Sequence, residues 1–179
     1  MPRLFAAVVL PLPLRTRLSF LRSGVEGARW IDPEELHLTL RFIGEVDGDL
    51  EDDIRSALAA IDAPGFALSI EGVGQFGDAK PHALWAGVQP AATLTRLVGK
   101  IEQALQRVGL PPETRRYMPH VTLARLRGAS PSRVAAYLAE YGLFRAEPFA
   151  VEEFVLYSSH LGRSGAHYRI EAVYPLRPV

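Results

Sequence analysis

Two short segments of the chain share a pattern of side chains that suits acid/base chemistry. The sequence His-Leu-Thr-Leu at positions 37–40 recurs as His-Val-Thr-Leu at positions 120–123. Imidazoles titrate near pH 7, so one ring can take a proton from water while the other gives a proton to a departing oxygen. Threonine hydroxyls can hydrogen-bond the nonbridging oxygens of a phosphate without adding charge. These groups match the needs of hydrolysis of a strained cyclic phosphate.

Both segments are interpreted as β-strands, in which residues two apart point to the same face. His37 then lies beside Thr39, and His120 lies beside Thr122, while the aliphatic residues between them enter the core. If the two strands are related by a twofold axis, both His/Thr pairs face one cleft. The four polar residues are therefore the candidate site.

Two further blocks recur in the same order and indicate an internal duplication. Leu-Phe-Ala-Ala-Val at 4–8 resembles Leu-Trp-Ala-Gly-Val at 84–88, and Phe-Ala-Leu at 66–68 resembles Phe-Ala-Val at 149–151. We expect one bilobal domain over residues 1–179, with pseudo-repeats at about 4–80 and 84–160 and a closing strand at about 167–175. Neither repeat would build the site alone.

Hydrophobic periodicity places helices between the strands. The predicted helices are 16–22, 49–61, 93–108 and 132–140. The predicted strands are 4–9, 36–43, 66–73, 84–88, 117–126, 149–157 and 167–174. The glycine-spaced segment 72–77 lacks the pattern of a dinucleotide or phosphate loop and is interpreted as a strand exit and turn. This order favours an α+β fold in which two mainly antiparallel sheets, flanked by helices, enclose a central cleft.

The composition narrows the chemistry further. The 179 residues include no cysteine, which excludes disulfides, thiolate metal ligands and a thiol nucleophile. Twenty basic residues balance twenty acidic ones, so a small or terminal phosphate fits better than a broad duplex surface. Each motif strand offers one inward histidine, whereas a zinc site needs three or four convergent ligands, so we expect neither metal nor cofactor.

The apolar stretches of the chain are all shorter than the roughly 18 to 20 residues that a membrane span needs. The first apolar stretch is interpreted as a strand because no small-x-small cleavage site follows it. We therefore expect a cytoplasmic monomer with no membrane contact and no protein partner.

Four segments of the chain resemble the two-histidine phosphoesterase superfamily, and most closely its RNA 2',3'-cyclic phosphodiesterases, historically called 2'-5' RNA ligases. The segments are 5–7, 37–44, 119–125 and 156–159. The resemblance covers nearly the whole chain and implies a bilobal α+β fold. It also implies attack of water on the 2',3'-cyclic phosphate of an RNA end, which leaves a 2'-phosphate. By motif position, it implies that His37 is the proton donor and His120 the proton acceptor.

Several arginines are candidates for phosphate contacts. Arg125 matches an arginine of the family pattern, but strict alternation puts it on the face opposite the histidine unless a bulge redirects it. A solvated or structural arginine is the alternative. Arg41 lies on the catalytic face by parity, and its alternative is a rim arginine paired with an acid. Arg115, Arg116 and Arg127 either guide RNA or are simply solvated.

Other functions stay open at this point. A diesterase for a small cyclic nucleotide or an ADP-ribose cyclic phosphate would use the same His/Thr pairs, because they contact only the ring phosphate. A noncatalytic RNA- or nucleotide-binding module is the alternative from another class. Reversible 2'-5' joining of RNA ends is a possible side activity, since the same acid and base serve in reverse.

Three aromatic residues either stack on a base or pack in the cleft wall, namely Phe42, Phe76 and Tyr157. Three histidines are interpreted as surface residues, namely His82, His160 and His167.

Overall fold

Ten β-strands and four α-helices make up the chain, and the computed structural model describes all residues from 1 to 179. The strands are β1 (Arg3–Val9), β2 (Ala28–Trp30), β3 (His37–Gly44), β4 (Phe66–Leu68), β5 (Ile70–Phe76), β6 (Ala83–Val88), β7 (His120–Leu126), β8 (Phe149–Val151), β9 (Glu153–Gly162) and β10 (Gly165–Pro175). The helices are α1 (Leu12–Ser19), α2 (Gly48–Ala59), α3 (Ala92–Arg107) and α4 (Pro131–Tyr141), and a 3-10 turn covers Pro33–Glu35.

Two four-stranded antiparallel sheets form the two lobes. The first sheet has the strand order β10-β9-β1-β3, and the second has the order β2-β7-β6-β5. The short strands β4 and β8 pair with each other outside these sheets. The expected α+β fold with two antiparallel sheets is therefore confirmed, and the small third sheet is an addition to it.

Each large sheet takes strands from both predicted repeats. β5 closes the first repeat but pairs with β6, and β9 belongs to the second repeat but pairs with β1. The short β2, which the sequence analysis missed, also crosses over to pair with β7. Because the repeats exchange strands, neither can form its sheet alone. We therefore propose that residues 1–179 fold as one bilobal domain.

The strands that carry the motifs are anchored by their apolar faces. Leu38 and Leu40 of β3 are at most 2% exposed, and Val121 and Leu123 of β7 are at most 3% exposed. All four belong to one core cluster of 31 buried residues that extends through both lobes. Full burial of such a side chain stabilises the fold by roughly 1.5 to 3 kcal/mol. This packing fixes the polar residues between them on the opposite face.

Three of the four helices begin and end within two residues of their predicted bounds. α2 begins after Asp47, whose carboxylate accepts a hydrogen bond from the backbone N–H of Leu50. α1 is displaced and covers Leu12–Ser19 rather than 16–22, because Pro13 is tolerated in a first helical turn. No helix combines the length and the apolar character needed to cross a membrane.

Two of the predicted strands are each divided into two. The stretch 66–73 contains β4 and the start of β5, and 149–157 contains β8 and part of β9. The strand exit and turn expected over 72–77 lie only at the end of this segment, since β5 continues to Phe76 and the turn begins at Gly77. Gly74 lies within it, and a Cβ at this position would collide with the Trp85 ring. Glycine is required at this position because the Trp85 ring lies close to the backbone, and not because the chain turns there.

Candidate active site

The strands β3 and β7 contact each other where the two sheets meet, and each carries one His/Thr pair. His37, Thr39, His120 and Thr122 are all half-buried. The charge of His120 influences the ionisation of His37, so the two rings lie close enough to interact. The structure thus places the four predicted residues on the two strands that meet at the junction of the sheets.

Both imidazoles are held by the same backbone contact. Nδ1 of His37 donates to the carbonyl of Glu35 at 2.8 Å, and Nδ1 of His120 donates to the carbonyl of Met118 at 2.7 Å. A carbonyl oxygen only accepts, so the proton of each neutral ring sits on Nδ1. Nε2 of each neutral ring then carries the lone pair that can accept a proton and, once protonated, can donate it. In both cases the carbonyl belongs to the residue two before the histidine, so the local backbone supplies the contact.

Burial lowers the pKa of both histidines below the ordinary value near 6.5. Loss of solvent is the largest cause in each ring, and the Nδ1 hydrogen bond opposes it by favouring the charged form. The cation of Arg125 lowers both pKa values further, and the charge of His120 also lowers the pKa of His37. The free site therefore favours two neutral imidazoles at pH 7. A bound phosphate anion would favour protonation of one of them.

The first His/Thr pair is linked more tightly than the second. The hydroxyl of Thr39 lies 3.0 Å from Nε2 of His37 and donates to it when the ring is neutral. Thr122 makes no corresponding contact with His120. The backbone carbonyl of Thr39 also accepts a hydrogen bond from the Tyr117 hydroxyl at 2.9 Å. Burial raises the pKa of Tyr117, so this donor keeps its proton.

A β-bulge in β7 turns Arg125 toward the cleft. The pairing of β7 with β6 skips Leu123, and the extra residue reverses the alternation that follows. Leu123 and Ala124 are consequently both buried, while Arg125 is exposed. Its charge adds to the effect of burial, which is the main cause of the lowered pKa of both histidines. The bulge that Arg125 needs is therefore present, and strict alternation along β7 is the wrong description.

The guanidinium of Arg41 is hydrogen-bonded to other groups of the protein. Its Nε donates to a carboxylate oxygen of Glu102 on α3 at 2.5 Å, and its terminal nitrogens donate to the carbonyls of Phe42 and Pro111. The hydrogen bond from Arg41 lowers the pKa of Glu102 to about 2. The two side chains are only 11% and 21% exposed. The predicted phosphate contact of Arg41 is thus replaced by its alternative, an arginine paired with an acid.

Aromatic rings enclose both histidines, but the two sets differ. Ring centroids lie 5.0 to 5.9 Å from the His37 ring for three residues, namely Phe5, Tyr157 and Tyr168. Two rings lie 4.9 and 6.4 Å from the His120 ring, namely Phe76 and Trp85. These walls exclude water and are the physical source of the lowered pKa values. Tyr168 could not be predicted from the sequence as a site residue, because the closing strand carries no motif.

A cavity of about 640 Å³ opens beside the histidine pair. At its inner end it is lined by Thr39, Phe76 and His120, and at its outer end by Arg115 and Arg116. It falls within the roughly 300 to 1,000 Å³ typical of ligand sites. Three of the predicted site residues do not line it, namely His37, Thr122 and Arg125. The cavity therefore extends to one side of the histidine pair.

The remaining histidines lie outside this pair. His82, His160 and His167 are exposed, as expected from the sequence. His160 contacts the hydroxyl of Ser158 at 2.9 Å, and His167 contacts the hydroxyl of Ser164 at 3.0 Å. No group of three or more His, Cys, Asp or Glu side chains converges in the chain.

Comparison with known proteins agrees with this geometry. The model of the 2'-5' RNA ligase superfamily matches residues 11–163. The chain is 31% identical to the RNA 2',3'-cyclic phosphodiesterase of Archaeoglobus fulgidus, with 93% of this chain and 96% of that protein covered. The RNA 2',3'-cyclic phosphodiesterase of Escherichia coli is 32% identical, with coverages of 93% and 92%. The crystal structure of E. coli LigT in apo form superposes with a TM-score of 0.82 at 28% identity, covering 98% of each chain. The complex of LigT with 3'-AMP gives 0.81 at 30% identity, covering 98% of this chain and 99% of that one.

Proposed function

The chain belongs to the 2'-5' RNA ligase superfamily, and from this premise we propose that it is an RNA 2',3'-cyclic phosphodiesterase. It opens the cyclic phosphate at an RNA end and leaves a 2'-phosphate. The observation that carries this proposal is the matched pair of imidazoles, His37 and His120. Each is held through Nδ1 by a backbone carbonyl, so Nε2 is the ring atom that exchanges a proton, and in His37 this atom lies beside the Thr39 hydroxyl.

The reaction requires two proton transfers on opposite sides of the phosphorus atom. Nε2 of His120 takes a proton from water as the water oxygen bonds to phosphorus. The bond between phosphorus and the ribose 3' oxygen breaks, and Nε2 of His37 gives that oxygen its proton. The products are a 3' hydroxyl and a 2'-phosphate monoester. His120 ends the reaction protonated and His37 neutral, and exchange with solvent restores both.

The phosphate oxygens meet donors from both lobes. We propose that the hydroxyls of Thr39 and Thr122 donate to the nonbridging oxygens, and that Arg125 binds one of them through its guanidinium. Negative charge develops on these oxygens as the five-coordinate transition state forms. The aromatic walls keep water away, which strengthens each of these interactions.

The substrate itself helps to set the protonation states. The base must be neutral, which the lowered pKa of His120 favours. The acid must be protonated, which the lowered pKa of His37 opposes in the free protein. A phosphate anion next to His37 raises that pKa and so favours the active form. Activity against pH should therefore be bell-shaped, because one imidazole has to be neutral while the other is charged.

A second candidate is a phosphodiesterase for small cyclic nucleotides. The similar LigT structure was solved with 3'-AMP, which is a mononucleotide. The catalytic groups proposed above contact only the ring phosphate and would serve this substrate, or an ADP-ribose cyclic phosphate, equally well. A noncatalytic binding module is less well supported, since it would not need two imidazoles that are both held through Nδ1 by backbone carbonyls.

The direct test is turnover, in the presence of EDTA, of an RNA oligonucleotide ending in a 2',3'-cyclic phosphate. We expect the wild-type protein to form a 2'-phosphate, because its own residues supply acid, base and phosphate donors. His37→Ala and His120→Ala should each lower kcat by about a thousandfold. His160→Ala is the matched control, since this exposed histidine lies outside the site.

Folded wild-type protein that leaves the cyclic end intact would refute the proposal. A 3'-phosphate product would refute the assignment of the departing oxygen. Formation of 2'-5' joined RNA from a 5' hydroxyl end would reveal the reverse reaction. One chain supplies both histidines, so we also propose that the catalytic unit is a monomer. The cytoplasmic location stays a prediction from sequence.

A further inference from the structure

The outer part of the cavity is formed by residues 111–118, which we call the basic segment. It has neither helix nor strand and connects α3 to β7. Arg115 and Arg116 both line the cavity and are both exposed. Arg115 approaches Glu113 at 3.6 Å with 83% of its side chain exposed, and Arg116 has no acidic partner. Arg116 thus stands at the cavity with its charge unpaired, whereas Arg115 shares its charge with Glu113, which also lines the cavity.

The basic segment is held in place at both ends. Near its start, the backbone N–H of Glu113 donates to Glu102 at 2.8 Å, and Glu102 is itself bound by Arg41. Near its end, the hydroxyl of Tyr117 donates to the carbonyl of Thr39 on the catalytic strand. The arginines are therefore set at a defined position relative to the His/Thr pairs. Such preorganisation lowers the entropic cost of binding a ligand.

Large apolar side chains accompany these cations. Phe42 is 57% exposed and Met118 is 53% exposed, and both line the cavity. Phe76 lies farther in, against His120. Cations interleaved with exposed aromatic or apolar surfaces suit single-stranded nucleic acid, since the cations bind the backbone and the bases stack. The chain as a whole has no excess of positive charge, because its twenty basic residues balance its twenty acidic ones.

We propose that this cavity binds the nucleotide on the 5' side of the cyclic end. Arg115 and Arg116 contact the phosphodiester that joins it to the terminal nucleotide, and its base lies against Phe42 and Met118. This rests on the proposed function and deepens it by naming the substrate class. The preferred substrate is an oligonucleotide of at least two residues, because a cyclic mononucleotide leaves the two arginines without a phosphate.

The test compares 2',3'-cyclic AMP with a trinucleotide that ends in the same cyclic adenosine. We expect wild-type kcat/KM to favour the trinucleotide by at least about tenfold, since the added contacts include charge-assisted hydrogen bonds. The double variant Arg115→Ala/Arg116→Ala should lower the ratio of the two kcat/KM values by about tenfold. The salt dependence of kcat/KM for the trinucleotide should also become shallower, because fewer phosphate contacts are made.

Arg107→Ala is the charge-matched control, since Arg107 is an exposed arginine of α3 that does not line the cavity. It should keep the wild-type ratio. Equal kcat/KM values for the two substrates in wild type would overturn this inference while leaving the proposed function intact. An unchanged ratio in the folded double variant would overturn it as well. No turnover of either substrate would instead refute the proposed function, and this inference with it.

Discussion

The two motif strands have the same backbone design but differ directly after it. In β3, the pairing with β1 skips Leu40, and in β7, the pairing with β6 skips Leu123. Each bulge comes one residue after the threonine, so positions 41 and 124 match, and so do 42 and 125. At the second of these positions β3 carries Phe42, whereas β7 carries Arg125. The cleft therefore receives a cation near both histidines from one strand and an exposed aromatic ring from the other.

This difference shows how a repeated backbone produces two unlike chemical roles. The matching parts, which are the carbonyl contact at Nδ1 and the bulge, present two imidazoles in the same way. The parts that differ are Phe42 on β3 and Arg125 on β7. They decide how the two histidines are protonated and which groups contact the substrate. Position 41 adds to the difference, since Arg41 binds Glu102 and supports the basic segment, while position 124 is a buried alanine. We expect each strand to respond differently to matched substitutions.

The largest expected difference between the two strands concerns which histidine donates a proton and which one accepts it. If His37 protonates the departing oxygen, a substrate whose leaving group needs no proton should restore activity to His37→Ala. We expect this variant to lose about a thousandfold in kcat on the RNA end but far less on a nitrophenyl phosphodiester. His120→Ala should lose about as much on both substrates, because water still needs a base.

Single-turnover rates of the two variants on the two substrates would measure this. The reverse pattern, with recovery in His120→Ala alone, would exchange the two roles. Equal recovery in both variants would mean that neither histidine is a dedicated donor.

Arg125→Ala should have the next largest effect. Loss of a charged phosphate donor should lower kcat/KM by about a hundredfold, which corresponds to roughly 3 kcal/mol. The cation lowers the pKa of both histidines, so its removal raises both. Both limbs of the bell-shaped profile should then move to higher pH. Phe42→Ala, at the matching position of β3, should leave the profile in place, because it removes no charge.

A pH profile of kcat/KM for the two variants separates these outcomes. An Arg125→Ala profile that keeps both limbs at their wild-type pH would contradict a role for Arg125 at the phosphate. Arg125→Lys should recover part of the activity, since the charge is kept but bidentate geometry is lost.

The sequence predicted those parts of the site that depend on local periodicity. Alternation correctly placed His37 beside Thr39 and buried the leucines between, because residues two apart in a strand must share a face. It failed after the bulges, since nothing in the spacing of Leu123 and Arg125 shows an unpaired residue. Bulges depend on the neighbouring strand, which one segment cannot reveal.

Those parts of the fold that depend on contacts between distant residues could not be predicted from the sequence either. The exchange of β5 and β9 between the repeats follows from how two sheets pack, whereas the repeat pattern alone indicated two homologous halves of one bilobal domain. The carboxylate of Glu102 and the ring of Tyr168 reach the site from a helix and from the closing strand. Neither belongs to a motif, so only the three-dimensional structure connects them to the histidines.

The pair of Arg41 and Glu102 should affect stability more than chemistry. Glu102 has its pKa lowered to about 2, chiefly by the hydrogen bond from Arg41, so the folded state favours its ionised form. This contribution is fully present above the ordinary pKa of 4.5 and is lost as pH falls through about 2. Glu102→Gln should lower the free energy of unfolding at pH 7 by about 2 to 3 kcal/mol.

Urea denaturation at pH 7 and at low pH would measure this contribution. The difference between Glu102→Gln and wild type should shrink as the pH approaches the lowered pKa. Asp52→Asn is the matched control, because this exposed carboxylate of α2 has no ion pair. A constant difference at every pH would mean that packing, and not charge, carries the effect.

The smallest expected difference is between the two threonines. Thr39→Val and Thr122→Val should each lower kcat by about tenfold, since each removes one hydrogen bond to the phosphate. Thr39 also contacts Nε2 of His37 at 3.0 Å, so its loss frees that ring to turn. We therefore expect Thr39→Val to lose roughly threefold more than Thr122→Val, with the serine variants recovering most of the rate. A larger loss in Thr122→Val would show that the phosphate is held mainly by β7, together with Arg125, and that β3 supplies chiefly the proton.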